Sequence, residues 1–291
     1  MKKAVSVGLA GMTALFIAGD FIIDLPLTSD DGTDIIAVGI SAVFSFLAIL
    51  FLYPLMTKFF CGEIKSLSRP SDSVKVLGYI ITQAVLIYIA VSTLTKFSEF
   101  VAGVMLPDVH LSVILIVAAA TAFIISKQGT ALSKTATILV FIALGLVMVI
   151  FLFSIPKMSF KYIIPEKLPT ISRPLRTAVP IYFKSFAQIL LPAAVIGSSI
   201  KGIKSIMIGN AVGAAFVVLC TLNALLVVGG GFASGLDYPY TAAVSTVAMG
   251  DIFSGMDGFL YITVIITCVI KTSVAFYAVA VLAQKVNKAK K

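Results

Sequence analysis

Charged side chains are rare inside the apolar runs of this sequence, and Lys271 is the most deeply placed of them. Thirteen uncharged residues precede it and thirteen follow it. A lysine at the centre of a membrane helix costs roughly 2.5–3.5 kcal/mol. We therefore expect Lys271 to face a carboxylate, a group of carbonyl oxygens or water and to take part in ligand binding. The alternative is a structural ion pair that holds helices together.

Two acidic residues, Asp20 and Asp24, occupy the first apolar segment one helical turn apart, so that their side chains would share a face. Asp20 and Lys271 are the deepest opposite charges in the chain, and we predict that they pair. Asp24 by itself is interpreted as a residue of the outer membrane interface.

The sequence lacks the signatures of common enzyme classes. It has one histidine, His110, and no H-E-x-x-H, G-x-S-x-G or P-loop lysine motif. The three cysteines, Cys61, Cys220 and Cys268, are far apart, which argues against both a disulfide framework and a zinc site. We therefore predict that the protein is not an enzyme and has no catalytic residues, no metal and no cofactor.

The elements that carry these residues are apolar enough to lie in a membrane. Of 291 residues, 59% are hydrophobic and 12% charged, whereas soluble proteins have roughly 25% charged residues. The apolar runs are continuous and too long for barrel strands, which indicates an all-α, polytopic fold. We predict a single integral membrane domain over residues 1–291, with eight helices at about 5–26, 35–57, 76–98, 109–126, 135–155, 178–199, 206–229 and 258–283.

The basic residues are distributed as topology signals. Most Lys and Arg residues lie in the connections on the side that also holds both termini, so both termini are predicted to be cytoplasmic. The basic connection at 156–177, assigned to the outside, is the exception. Because the basic residues separate apolar runs and do not cluster on a water-facing surface, the net charge of +9 predicts no nucleic-acid partner.

Glycine and proline indicate breaks in two of the predicted helices. The step Ala18–Asp20 interrupts the first helix, and Pro180 and Pro192 bracket the sixth. Transporters use broken helices to present backbone groups near the middle of the membrane. Breaks five helices apart are the placement that an inverted five-helix repeat would give. The sixth helix is also polar, with Tyr182, Lys184, Ser185 and Gln188.

Several stretches, in order along the chain, carry a family resemblance: Gly19–Pro26 (GDFIIDLP), Gly32–Ala37 (GTDIIA), Gln128–Thr135 (QGTALSKT), Phe253–Asp257 (FSGMD) and Ile270–Ser273 (IKTS). The sequence resembles the permease-like B subunit of bacterial spore germinant receptors, within the amino acid–polyamine–organocation transporter superfamily. The resemblance implies the broken-helix inverted-repeat (LeuT-like) fold. Members usually have ten helices, so helices nine and ten would be lacking here.

The resemblance also implies a small-molecule site near mid-membrane, usually for an amino acid. Gly19 would be the unwound glycine whose freed backbone groups meet the ligand. The implied ligand-binding residues are Gly19, Asp20, Tyr88, Ile89, Ser92, Ser185, Gln188 and Lys271, and the implied ion-binding residues are Thr272 and Ser273. Lys271 could instead supply a fixed positive charge in place of a sodium ion.

Three functions follow as alternatives. The first is a ligand-sensing subunit of a germinant receptor in the inner membrane of the spore, acting with a lipoprotein subunit and a soluble-domain subunit in response to a small nutrient. The second is an ion-coupled amino acid transporter. The third is a degenerate membrane subunit that binds no ligand.

Overall fold

A computed structural model describes residues 2–19, 21–25, 27, 33–61, 72–162, 172–197, 202–247 and 256–289. Within these ranges every regular element is a helix. The α-helices are α1 (Lys2–Ala18), α2 (Thr33–Cys61), α3 (Asp72–Phe100), α4 (Leu111–Ser126), α5 (Gly129–Ser154), α6 (Ser172–Ile181), α7 (Leu190–Ile196), α8 (Ile203–Val228), α9 (Gly230–Ala233), α10 (Pro239–Ser245) and α11 (Asp257–Ala289).

Six helices in the described part of the chain are long and apolar enough to cross a membrane: Thr33–Phe60, Val74–Met105, Ala131–Lys157, Ser172–Ile196, Ile203–Val228 and Asp257–Asn287. Two shorter apolar helices are Gly8–Ala18 and Leu111–Ser126. Large apolar side chains such as Phe51, Ile116 and Phe141 lie exposed on the outer surface, as expected where lipid is the solvent. The prediction of an all-helical, polytopic membrane protein is confirmed.

The first helix differs from its predicted bounds, because α1 ends at Ala18 and not near residue 26. Residues 21–23 form a turn after Gly19. Glycine is a poor helix former because it loses the most backbone entropy on folding, and Gly19 ends the helix where the sequence placed the interruption.

Helix α1 is the central element of the bundle. It packs against α5, α8 and α11, and its residues 11–19 are all buried. Gly209 and Gly213 of α8 face it: a Cβ at Gly209 would overlap Thr13, and one at Gly213 would lie 3.0 Å from the Ile17 Cβ. Small residues of this kind let two membrane helices approach closely. The C-terminal end of α1 is therefore held in the middle of the molecule.

Candidate functional site

The site begins where α1 ends, at Gly19. Its N–H still donates to the Leu15 carbonyl at 2.9 Å. Its carbonyl accepts hydrogen bonds from Thr267 Oγ1 at 3.1 Å and from Cys268 Sγ at 3.2 Å. The expectation that Gly19 presents free backbone groups therefore does not fit this arrangement, since α11 already engages its carbonyl oxygen.

Lys271 lies one helical turn beyond Thr267 on α11 and is fully buried. Its aliphatic chain covers Gly19 so closely that a Cβ at residue 19 would overlap the Lys271 Cδ. Its ammonium nitrogen is 5.2 Å from the centre of the Phe16 ring, a distance at which a cation is attracted to the ring face. The structure thus brings two predicted site residues, Gly19 and Lys271, into contact. Asp20, the predicted partner of Lys271, lies outside the described residues.

The sixth span loses α-helical regularity between its two prolines. A π-helical turn, Tyr182–Phe186, and a 3₁₀ turn, Ala187–Ile189, join α6 to α7. Pro180 and Pro192 have no N–H to donate to the carbonyl four residues earlier, so each removes one helical hydrogen bond. The bond missing at Pro192 would end on the Gln188 carbonyl, within the 3₁₀ turn, and the irregular turns as a whole lie between the two prolines.

This irregular segment packs beside α1. Residues 187–189 pack against α1, and α7 packs against α11. Ser185 is buried. The Gln188 side-chain oxygen Oε1 is also buried, and it has no hydrogen-bond partner among the described residues. Gln188 therefore offers an acceptor in the core beside the broken first helix.

Helix α3 separates the three residues that the resemblance assigned to it. Ile89 is buried and Ser92 partly buried, whereas Tyr88 is 72% exposed on the outer face. Adjacent residues on an α-helix point about 100° apart, so Tyr88 and Ile89 cannot both face the interior. We therefore remove Tyr88 from the candidate site.

The predicted ion-binding residues Thr272 and Ser273 are both fully buried on α11. Their hydroxyls donate to backbone carbonyls of the same helix, Thr272 to Cys268 at 2.9 Å and Ser273 to Val269 at 2.7 Å. These bonds satisfy the hydroxyl hydrogens locally and leave oxygen lone pairs for a further partner.

Asp24 has a role that the sequence interpretation missed. Its Oδ2 accepts from Lys184 Nζ at 2.6 Å and from Lys96 Nζ at 2.9 Å. The side chain of Asp24 is 40% exposed, that of Lys184 is 32% exposed and that of Lys96 is 26% exposed. Asp24 therefore ties the segment after α1 to α3 and to the π-helical turn. The charge pattern places Lys96 and Lys184 on the less basic side of the membrane, where Asp24 is also expected, and this shared side is the signal in the sequence that points to the cluster.

Asp24 lies outside the helices that could cross the membrane, in the irregular segment after α1. Burial raises the pKa of its carboxyl, but the hydrogen bonds and charges of Lys184 and Lys96 lower it by more. The pKa of Asp24 is consequently below its ordinary value. The group is a carboxylate at neutral pH, as an ion pair with two lysines requires.

Comparison with known proteins agrees with this architecture. Residues 27–291 match a family model for spore permeases, described as spore germination protein. The match begins after α1 and includes α11 with Lys271. No curated protein matches the sequence.

Proposed function

The chain belongs to the spore germination protein family of permeases, and from this premise we propose that it is a ligand-sensing membrane subunit of a spore germinant receptor. In this proposal it binds a small nutrient, an amino acid, at mid-membrane and signals germination. It works in the inner membrane of the spore with a lipoprotein subunit and a soluble-domain subunit.

The observation that carries the proposal is the junction of Gly19 with Lys271. A fully buried lysine covers Gly19, the residue that directly follows the broken central helix, and the irregular part of the sixth span packs beside that helix. Ionisable residues inside membrane segments are costly and mark ligand or ion pathways. Two breaks placed in this way also support the broken-helix inverted-repeat fold as part of the proposal.

The same contacts suggest how binding becomes a signal. The carboxylate of a bound amino acid would attract the ammonium group of Lys271. The ammonium group of the same amino acid would donate a hydrogen bond to Gln188 Oε1. Drawing Lys271 towards the ligand would uncover Gly19, whose carbonyl is held by Thr267 and Cys268. Ligand binding would thereby shift α11 relative to α1. A ligand that makes different contacts in two conformations of a protein changes their relative populations, and this change would be the signal.

The test is a thermal-shift screen of amino acids on the purified protein. We expect at least one amino acid to raise the melting temperature, because a ligand that binds the folded state stabilises it. Lys271→Met and Gly19→Trp should abolish the shift. Gly145→Trp is the matched control, since Gly145 is exposed and a Cβ there meets no atom within 4 Å, and it should retain the shift.

Two outcomes would replace the proposal. If no amino acid shifts the melting temperature, the reading of a degenerate subunit without ligand takes its place. If reconstituted vesicles accumulate a radiolabelled amino acid saturably, the protein is a transporter and not a sensor alone.

A further inference from the structure

A groove on the outside of the bundle lies between α2 and α3, apart from the junction at Gly19. Both helices pack against α7, which also contributes to the groove. Its volume is about 520 Å³, within the range of roughly 300–1,000 Å³ that is usual for small-molecule pockets. The residues that line it are Leu55, Met56, Phe59 and Phe60 of α2, Gly78, Ile81 and Thr82 of α3, and Leu191 of α7.

The lining of the groove suits hydrocarbon. Thr82 is the one polar residue among those that line it, and its hydroxyl donates to the Gly78 carbonyl within α3 at 2.8 Å. Leu55 and Ile81 are each more than half exposed, so the groove opens on the surface that the bundle turns to lipid. A lipid chain can therefore enter the groove from the side and meet apolar walls.

One end of the groove lies at the level of the lipid headgroups. The apolar stretch of α2 that could cross the membrane ends at Phe60, and that of α3 begins at Val74. The Phe60 ring stacks on the Tyr79 ring, with 6.0 Å between their centres, and the edge of the Phe59 ring packs against both. Aromatic side chains, tyrosine among them, are typical of the boundary between lipid and water.

Three lysines give this end of the groove a positive charge. Lys58 is exposed two residues before Phe60. Lys75 is partly exposed one helical turn before Gly78, so it shares a face of α3 with that lining residue. Lys285 of α11 holds its ammonium nitrogen 5.9 Å from the centre of the Phe60 ring and donates to the Phe60 carbonyl at 3.3 Å. Lysines beside a membrane surface attract anionic lipids.

We propose that this groove binds an anionic phospholipid. One acyl chain lies along the apolar walls, and the headgroup phosphate lies near Lys58, Lys75 and Lys285. A zwitterionic lipid with the same chains meets the same walls, but its headgroup carries a positive charge that the lysines repel. The groove thus holds hydrocarbon and selects for charge, and the bound lipid fills the space between α2 and α3.

Photo-crosslinking tests the proposal on the purified full-length chain in detergent micelles. Two lipid probes carry the same diazirine-bearing acyl chains, one with a phosphatidylglycerol and one with a phosphatidylcholine headgroup. We expect phosphatidylglycerol to label peptides that contain Leu55 or Ile81 several-fold more than phosphatidylcholine does. Phe141, which is exposed on α5, should be labelled weakly and equally by both. Equal labelling of the groove by the two probes would overturn the proposal.

A second result would also overturn it. If neither probe labels the groove more than it labels Phe141, the groove is not a lipid site, and a protein segment becomes its occupant.

A pair of lysine variants tests the selection for charge. The double variant Lys58→Gln, Lys75→Gln should reduce the labelling by phosphatidylglycerol to the level of phosphatidylcholine. The matched control is Lys127→Gln, Lys134→Gln, which removes two exposed lysines from the turn before α5 and from α5 itself, and it should keep the wild-type preference. An unchanged preference in the first variant would contradict the proposal.

A pair of glycine variants tests the location of the acyl chain. Gly78→Leu adds a side chain to the lining of the groove, where a Cβ would already lie 2.7 Å from the tip of the Phe59 ring, and it should reduce labelling by both probes. Gly39→Leu is the control on α2, because a Cβ there meets no atom within 4 Å, and it should label as wild type. Undiminished labelling in Gly78→Leu would count against the groove, and if that variant does not fold, the lysine variants decide.

Discussion

At the scale of single residues, the junction at Gly19 depends on Lys271, a lysine that has no contact with solvent. Lys271 is long enough to lay its aliphatic chain over Gly19 and still place its ammonium group over the Phe16 ring. Only glycine leaves room for that chain, because any Cβ at residue 19 would overlap it. The two residues are therefore matched to each other in size as well as in position.

Pairing of Lys271 with Asp20 stays a prediction, and a double-mutant cycle tests it. Asp20 directly follows Gly19 in the sequence, and Gly19 contacts Lys271. Breaking a buried ion pair by removing one partner costs about 3–5 kcal/mol. We expect Lys271→Met and Asp20→Asn each to lower the free energy of unfolding in SDS, and the double variant to lose much less than the sum. Strictly additive losses would rule out the pair.

At the scale of elements, Asp24 connects pieces that the helices alone would leave apart. The segment after α1, helix α3 and the π-helical turn of the sixth span meet at one carboxylate. All three elements contribute residues to the candidate site or adjoin it. A movement of α3 or of the sixth span relative to the segment after α1 would therefore stretch or break an ion pair at Asp24.

The Asp24 cluster predicts a stability that depends on pH. The pKa of Asp24 is lowered from 3.8 in the folded state, so its contribution is present above that value and is lost as the pH falls through the folded pKa. Because the groups are partly exposed, we expect only about 0.2–1 kcal/mol for each pair. Thermal unfolding between neutral and acidic pH should show a shallower acid loss in Asp24→Asn than in wild type.

Glu99→Gln is the matched control, since Glu99 lies exposed on the same helix as Lys96, and it should follow the wild-type pH profile. An Asp24→Asn profile identical to wild type would show that the ion pairs contribute nothing to stability.

At the scale of the whole molecule, the chain is a bundle with a glycine-lined centre and an apolar exterior. The predicted sides agree with contacts at two places: Asp24 meets Lys96 and Lys184, and Lys285 donates to the Phe60 carbonyl at 3.3 Å. Lys96 and Lys184 fall on the less basic side of the charge pattern, and Lys285 and Phe60 lie at helix ends on the more basic side, which also holds the termini. Which side faces the cytoplasm is a prediction from the positive-inside rule.

Cysteine labelling in intact cells tests that orientation. In a Cys61→Ala background, single cysteines are introduced by substitution. A membrane-impermeant maleimide should label Asp108→Cys and Lys157→Cys from outside the cell. Cysteines at Lys127 and Lys285 should react only after permeabilisation. Lys157 is the critical position because its connection is basic yet assigned to the outside. The reverse labelling pattern would show that the topology is opposite to the predicted one, with both termini outside.

The sequence by itself determined that this is a helical membrane protein, and it indicated where two helices break. Long apolar segments favour insertion into the lipid bilayer. Glycine and proline weaken or remove helical hydrogen bonds close to their own positions. Both effects depend on residues near one another in the chain and can therefore be predicted from the sequence. The resemblance of ordered stretches likewise led to the spore permease family.

Only the tertiary structure decided which polar groups meet. Asp24 and Lys184 are far apart in sequence, and so are Gly19 and Thr267, and each pair is joined by the packing of separate helices. The same packing turned Tyr88 outward and buried Ile89, although neighbouring positions in an apolar run look alike in sequence. In a membrane both the lipid and the core are apolar, so hydrophobicity does not tell a helix which face to turn inward.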